Sequence, residues 1–185
     1  ARAPAHSAAK LQRLREAGYG GGLTVVNTNP MYTARELKHQ LVDSGASAIL
    51  VLDNFGKTVQ EVIADTQVKQ VITTGLGDML PFPKSAIVNF VLKYVRKMIP
   101  EYDIPGAIRF KNTLTLGQMH TLPAVDITPQ DIAFLQYTGG TTGVAKGAML
   151  THRNLVSNMQ QSHAWIGANT REGAEVIITA LPLYH

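Results

Sequence analysis

The residues best suited to chemistry lie in one run of glycine, threonine and lysine between Tyr137 and Gly147. Its glycines let the backbone turn so that several N–H groups converge on one anion. Its threonines add hydroxyl donors, and Lys146 adds a mobile positive charge. The run therefore predicts a polyphosphate-binding loop, and the alternative is a flexible glycine hairpin without a ligand. The residues assigned to this loop are Tyr137, Thr138, Gly139, Gly140, Thr141, Thr142, Gly143, Val144, Ala145, Lys146 and Gly147.

The sequence after Lys146 distinguishes this loop from a Walker loop. A Walker loop places Ser or Thr directly after its lysine and runs straight into a helix. Here Gly147 and a short strand-like segment up to Leu150 follow the lysine. We therefore expect the loop to join two strands.

The elements that must hold this loop follow an α/β pattern. Thr33 and Glu36 form a capping box at the start of a helix, and Gly45 ends that helix. The continuous apolar run 48–52 predicts a strand that is covered on both faces. Because helices alternate with strands, we predict a fold of layered sheets and helices. The other expected elements are strands at 23–26, 68–73, 132–138, 147–150 and 176–181, and helices at 58–65, 86–99 and 151–165.

The composition excludes several classes of protein. The chain has 185 residues, of which 45% are hydrophobic and 16% charged, and this suits a globular domain rather than a disordered or collagen-like chain. Cysteine is absent from the sequence, which excludes disulfides and thiolate chemistry and fits a reducing compartment. The six histidines include no pair at ligand spacing on one predicted helix, so no metal site is assigned. No apolar run reaches the roughly 18 residues that a membrane-spanning helix needs.

The net charge of +4 is unevenly distributed. Basic residues concentrate in segments 1–20 and 84–111, while the rest of the chain is net negative. This distribution argues against a nucleic-acid-binding protein with a basic face along its whole length. We therefore expect no nucleic acid partner.

The predicted helix 86–99 carries Asn89, Lys93, Arg96 and Lys97 on one face, with apolar residues over the rest. One interpretation is a helix docked on the core with a solvated basic stripe. The other is a membrane-surface helix whose cations meet anionic headgroups while its apolar side dips below them. Both interpretations remain open at the level of the sequence.

The loop and its flanks resemble the adenylate-forming enzymes, the superfamily of acyl-CoA synthetases, luciferases and peptide-synthetase adenylation domains. Their signature is an aromatic residue, Thr, Ser or Gly, Gly, Thr, Thr, Gly, any residue, Pro or Ala, Lys and Gly, and the run 137–147 meets every position. The segments 25–33, 35–37 and 181–185 are most similar to the bacterial long-chain fatty acid–CoA ligases. The resemblance covers residues 22–185, which corresponds to a minor part of a full-length member, inside its large N-terminal domain.

The resemblance implies a reaction in two steps. In the family, the loop matching residues 138–146 holds the β- and γ-phosphates of ATP, and the histidine matching His185 lines the acyl and adenylate end of the pocket. A carboxylate attacks the α-phosphate to give acyl-AMP and pyrophosphate, and the thiol of CoA then displaces AMP. Because two anions meet, hydrogen-bond donors and Mg²⁺ must neutralise the developing charge. The implied substrates are a long-chain fatty acid, ATP and CoA, and His185 is the implied catalytic residue.

The chain departs from the family pattern at both ends. Residues 1–21 do not match the helix that the family places before the first strand, so we treat them as an atypical start. Residues 22–185 are expected to form part of the AMP-binding domain, without the later motifs for adenine, ribose, the hinge and the C-terminal lysine. This 185-residue chain is therefore expected to make no acyl-CoA by itself.

Two other functions stay open beside a long-chain fatty acid ligase. One is another adenylate-forming ligase, for a medium-chain or aryl acid. The other is a non-catalytic module that binds a nucleotide or a membrane without turnover. The resemblance implies a cytoplasmic location, and an interfacial helix would place Lys93, Arg96 and Lys97 on the inner face of the cell membrane.

Overall fold

The structure is a computed structural model that describes residues 21–121, 124–138, 145–171 and 173–176. These residues form a mixed α/β fold, which confirms the predicted fold class. In chain order the strands and helices are β1 (Val25–Asn27), α1 (Ala34–Ser44), β2 (Ala48–Leu52), α2 (Gly56–Val62), β3 (Gln70–Thr74), α3 (Lys84–Phe90), β4 (Ile108–Arg109), α4 (Phe110–Gly117), β5 (Ile132–Thr138), β6 (Lys146–Thr151) and α5 (His152–Ile166).

The described residues divide into two compact units. Residues 28–121 form the first unit, and residues 21–27, 124–138, 145–171 and 173–176 form the second. The first unit contains a parallel sheet in the order β2-β3-β4. The second unit contains a mixed sheet in the order β1-β5-β6, in which β1 is parallel and β6 antiparallel to β5.

Helix α1 begins and ends where its sequence predicts. The Glu36 N–H donates to Thr33 Oγ1 at 3.4 Å, and the Thr33 N–H donates to Glu36 Oε2 at 2.8 Å, so the capping box is formed. Gly45 follows the helix with φ of 63°, a left-handed conformation that glycine adopts without steric cost. The helix directs Leu37 and Leu41 into the core of the first unit. That core is completed by Val51, Val59, Val62, Val71 and Ile104.

A buried carboxylate links the carboxyl ends of the three parallel strands. Asp53 follows β2 directly and is 6% exposed. Its two oxygens accept hydrogen bonds from the Arg109 guanidinium at 2.7 and 3.0 Å, and Tyr102 Oη donates to Asp53 Oδ1 at 2.7 Å. Arg109 Nη1 also donates to Thr73 Oγ1 in β3, at 3.1 Å. Because bidentate, charge-assisted bonds are among the strongest in proteins, this cluster fixes β2, β3 and β4 relative to one another.

The predicted helix 86–99 is the largest departure from the sequence-based expectation. Helix α3 ends at Phe90, and the chain continues as a π-helix over Val91–Val95. Lys97 then takes a positive φ of 49° and ends the helical path. Because Pro100 disfavours helical backbone at the residue before it, the helix cannot reach its predicted end.

Other boundaries are confirmed in part. The strand predicted at 48–52 is present as β2, but only Val51 is buried and Ala48 is exposed, so the predicted cover on both faces is only partial. An apolar run alone cannot distinguish these cases, and β2 lies at an edge of its sheet. The sequence missed β4 and α4, because the two-residue strand is too short to show a period. The strand predicted at 176–181 lies outside the described residues, apart from its first position.

The Asp53 cluster predicts unequal costs for breaking two ion pairs. Arg109→Ala should lower the free energy of unfolding by about 2 kcal/mol, because losing the partner of a buried charge costs about 3–5 kcal/mol and the half-exposed arginine reduces this value. Lys38→Ala breaks an exposed pair with Asp65, whose side chains are 47% and 60% exposed, and should cost about 0.5 kcal/mol or less. Urea unfolding of both variants measures the difference. Equal losses would contradict a special role for Asp53.

The stabilising contribution of Tyr102 is expected to decrease at alkaline pH. Burial and the hydrogen bond to Asp53 raise the pKa of Tyr102 above its ordinary value of 10.0. A raised folded-state pKa gives stability that is fully present below the unfolded-state pKa and is lost as the pH rises through the folded-state pKa. The stability difference between the parent and Tyr102→Phe should therefore shrink above pH 10.0. Urea unfolding across this range measures it, with the exposed Tyr94→Phe as the control; a difference that stays constant would refute the prediction.

Candidate functional site

The two ends of the predicted loop are brought together by antiparallel pairing. Strand β5 ends at Thr138 and β6 begins at Lys146, and these two residues are direct cross-strand partners. Both are exposed. Directly opposed residues of an antiparallel pair project from the same face, with Cβ atoms about 5 Å apart. The side chains that carry one hydroxyl and one ammonium group thus leave the sheet from the same face, at the two ends of the predicted loop.

The next pair along the hairpin lies on the opposite face. Tyr137 is paired with Gly147 and is 6% exposed. Its ring lies so close to Gly147 that a Cβ there would be 3.0 Å from ring carbons. Because successive residues of a strand alternate between faces, Tyr137 and Gly147 point away from the face of Thr138 and Lys146.

The structure confirms that a strand precedes the predicted loop and a strand follows it. Lys146 opens a strand and no helix follows it directly, which differs from a Walker loop. Ala145 is half-buried beside it. The remaining predicted residues lie outside the described part of the chain, namely Gly139, Gly140, Thr141, Thr142, Gly143, Val144 and His185.

Strand β5 is the central strand of its sheet, so it is paired with β1 on the edge opposite β6. It pairs with β1 in parallel, and Asn27 Nδ2 donates to Gln136 Oε1 at 3.1 Å across this pair. Thr24 Oγ1 donates to the carbonyl of Ile132 at 3.1 Å. Strand β5 is therefore held on both edges as far as Gln136, two residues before Thr138.

The predicted basic face is formed only in part. Lys93, Arg96 and Lys97 are exposed, as the sequence predicts. Asn89 is not a member of that face, because its amide binds the loop before α3. Its Oδ1 accepts from the Gly77 N–H and its Nδ2 donates to Asp78 Oδ1, both at 2.9 Å. Helical spacing could not reveal this, since the partners precede the helix.

Large apolar side chains around the cations are also exposed. Phe90, Tyr94 and Val95 are 58%, 59% and 65% exposed. Phe82, Ile87 and Met98 are exposed as well. Val88, Val91 and Leu92 are half-buried, so one side of the segment is partly covered while another exposes large apolar residues. We call the segment 82–98 the cationic–apolar surface.

In the part of the chain that the structure describes, no three histidine or carboxylate side chains are grouped to hold a metal ion. No helix there is long and apolar enough to cross a bilayer.

Comparison of the sequence with known proteins identifies a matching family. The family described as AMP-binding enzyme matches residues 17–185. The long-chain-fatty-acid–CoA ligase of Escherichia coli O6:H1 is 52% identical over 164 residues, which cover 89% of this chain and 29% of the relative. The chain spans 29–30% of the length of the curated bacterial relatives it matches.

Solved structures share the fold. A long-chain-fatty-acid-CoA ligase from Archaeoglobus fulgidus aligns with a TM-score of 0.54 and 26% identity, over 83% of this chain and 25% of its own. A provisionally assigned long-chain-fatty-acid CoA ligase from Rhodopseudomonas palustris aligns with a TM-score of 0.66 and 19% identity, over 95% of this chain and 36% of its own. At 19% identity the second likeness supports the fold alone.

Proposed function

The chain belongs to the AMP-binding enzyme family, and we propose that it contributes the phosphate-binding hairpin of an ATP-dependent long-chain fatty acid–CoA ligase. The proposed reaction joins a fatty acid to ATP as acyl-AMP and then transfers the acyl group to CoA. We propose residues 22–185 as part of the AMP-binding domain, after an atypical start at 1–21. The high identity to bacterial ligases favours a long-chain acid over a medium-chain or aryl acid.

The observation that carries this proposal is the pairing of Thr138 with Lys146. A hydroxyl donor and a cation on one face, at the two ends of a glycine-rich loop, suit the β- and γ-phosphates of ATP. Charge-assisted bonds from an ammonium group are about twice as strong as neutral bonds. We place Gly139, Gly140, Thr141, Thr142, Gly143, Val144 and Ala145 in the same loop, with His185 at the acyl end of the pocket.

The chemical contribution of these residues is electrostatic. The attacking carboxylate and the α-phosphate are both anionic, so their approach is opposed unless nearby donors offset the charge. Lys146 and Thr138 hold the pyrophosphate part of ATP in place and stabilise the negative charge that it gains as the leaving group. Mg²⁺, bound to the phosphate oxygens, would supply further neutralisation.

The phosphate assignment predicts an effect confined to one half-reaction. Lys146→Ala and Thr138→Ala each remove a donor to a charged group worth about 1.5–3 kcal/mol, and should weaken adenylation by about ten- to a hundredfold. Thioester formation from preformed acyl-AMP should change less, because pyrophosphate has already left. Fatty-acid-dependent pyrophosphate exchange and thioester formation measure the two steps in the complete protein that carries this sequence.

The controls for this test are Lys69→Ala and Thr115→Ala, exposed residues outside the hairpin that should leave both steps unchanged. Equal loss in both half-reactions, or no loss in either, would show that the phosphate role is wrong. Palmitate, octanoate and benzoate as competing acids separate the long-chain ligase from a medium-chain or aryl ligase. A protein that binds ATP but turns over none of them would be a binding module.

We also propose that the cationic–apolar surface contacts an anionic bilayer. Lys93, Arg96 and Lys97 can meet lipid phosphates while Phe90 and Tyr94 insert below the headgroups. The support is the joint exposure of cations and large apolar side chains on one segment. An anionic lipid surface satisfies both kinds of group at once, and fatty acids partition into bilayers.

This surface predicts salt-dependent binding to vesicles. Each cation near an anionic membrane contributes about 1 kcal/mol, so changing Lys93, Arg96 and Lys97 together to Gln should weaken binding by one to two orders of magnitude. High salt should reduce the parent's binding, because ions screen the charges. Sedimentation with phosphatidylserine-containing and neutral vesicles measures the difference.

The matched control changes Arg35, Lys57 and Lys69 to Gln, which removes the same charge from exposed positions elsewhere in the unit. The control should bind anionic vesicles as the parent does, and neither variant should change binding to neutral vesicles. Activity on detergent-dispersed fatty acid should survive in both. Equal sedimentation of both triple variants and the parent would refute the membrane contact.

A further inference from the structure

We propose that Tyr137 is a positioning residue, whose ring packs against Gly147 and thereby holds Thr138 and Lys146 on the same face of the β5–β6 hairpin. This inference rests on the proposed phosphate role of that hairpin. It gives Tyr137 a function different from direct phosphate binding, the role expected of the loop to which the sequence analysis assigns it. It also gives Gly147 a role that is independent of loop flexibility.

The contact between Tyr137 and Gly147 is so close that a larger residue at position 147 would require the ring to shift by a few tenths of an ångström. A Cβ at position 147 would lie 3.0 Å from both Cε2 and Cζ of the ring, and 3.4 Å from Oη. The ring is 6% exposed, so surrounding atoms limit its movement. An aromatic ring that covers a cross-strand glycine in this way pins the register of the two strands.

Register matters here because side chains alternate between the faces of a strand. A slip of one residue along β6 would turn Lys146 to the face that Tyr137 occupies, away from Thr138. The present register also depends on a β-bulge in β5. Ile132 is paired with Thr151 and Phe134 with Leu150, so Ala133 is the extra residue of the bulge. Bulges often redirect side chains beside functional sites.

Two features therefore act on the same pair of functional groups. The bulge selects which β5 residues face which β6 residues, and the Tyr137–Gly147 contact resists sliding next to the loop. Tyr137 acts from the buried face and Thr138 from the exposed face. The effect of Tyr137 on phosphate binding is thus indirect and passes through the strand backbone.

A double-variant experiment in the complete protein tests this mechanism. Gly147→Ala pushes the ring away and should weaken ATP affinity by about tenfold, the equivalent of a moderate overpacking cost. Adding Tyr137→Leu to Gly147→Ala makes room for the new methyl group and should recover most of that loss. Calorimetric ATP binding, pyrophosphate exchange, thioester formation from preformed acyl-AMP and melting temperature are measured for each variant.

The matched glycine control is Gly117→Ala, at the end of α4, where a Cβ would meet no atom within 4 Å. It should leave all four measurements unchanged. Recovery of ATP affinity in the double variant, with thioester formation little changed throughout, supports the positioning role. Additive losses in the double variant, or losses shared equally by both half-reactions and the melting temperature, would overturn it.

The same measurements separate this inference from the proposed function. A parent protein that binds ATP without fatty-acid-dependent exchange would refute the ligase proposal, while the ATP-binding data would still test Tyr137 and Gly147. A parent that binds no ATP would overturn both. Normal ATP binding and exchange in Gly147→Ala would overturn the positioning role alone.

Discussion

The antiparallel register of β5 and β6 is the constraint on which the proposed site depends. It opposes Thr138 and Lys146 although seven residues separate them in the sequence. The register is held by backbone pairing on both edges of β5 and by the packing of Tyr137. The charged and hydroxyl groups can remain exposed because the residues beside them carry the packing. The proposed binding residue Thr138 and the packed residue Tyr137 are neighbours on β5, so the pleat places them on opposite faces.

In the first unit, the central polar group is buried and bonded to other side chains rather than exposed. Asp53 is buried, and its cost in desolvation is offset by Arg109 and Tyr102. The carboxyl ends of parallel strands often bind ligands in α/β proteins. Here the groups at those ends are engaged with one another, so they are better suited to holding the sheet than to receiving a substrate. The exposed cationic side chains that could meet a partner of this unit lie instead on the cationic–apolar surface.

Local signals in the sequence were sufficient for much of this architecture. The cap formed by Thr33 and Glu36 was predictable because capping depends on residues within one helical turn. The strand–loop–strand form was predictable from the residue after Lys146. In contrast, the Asp53–Arg109 pair joins residues 56 positions apart, and no local pattern marks it. Asn89 likewise binds Gly77, twelve positions away, so helical spacing alone assigned it to the wrong face. That spacing also did not reveal the π-helical turn at Val91–Val95.

The bulge at Ala133 has a consequence for how this hairpin can change during evolution. Between the bulge and Thr138, inserting or deleting one residue would invert every side chain that follows on β5. The buried ring of Tyr137 would then face outward, and Thr138 would face inward. An insertion or deletion of two residues would keep each side chain of β5 on its present face and would shift only its pairing with β6. Viable length variation in this stretch should therefore favour even steps, or a single step that removes the bulge and restores regular pairing.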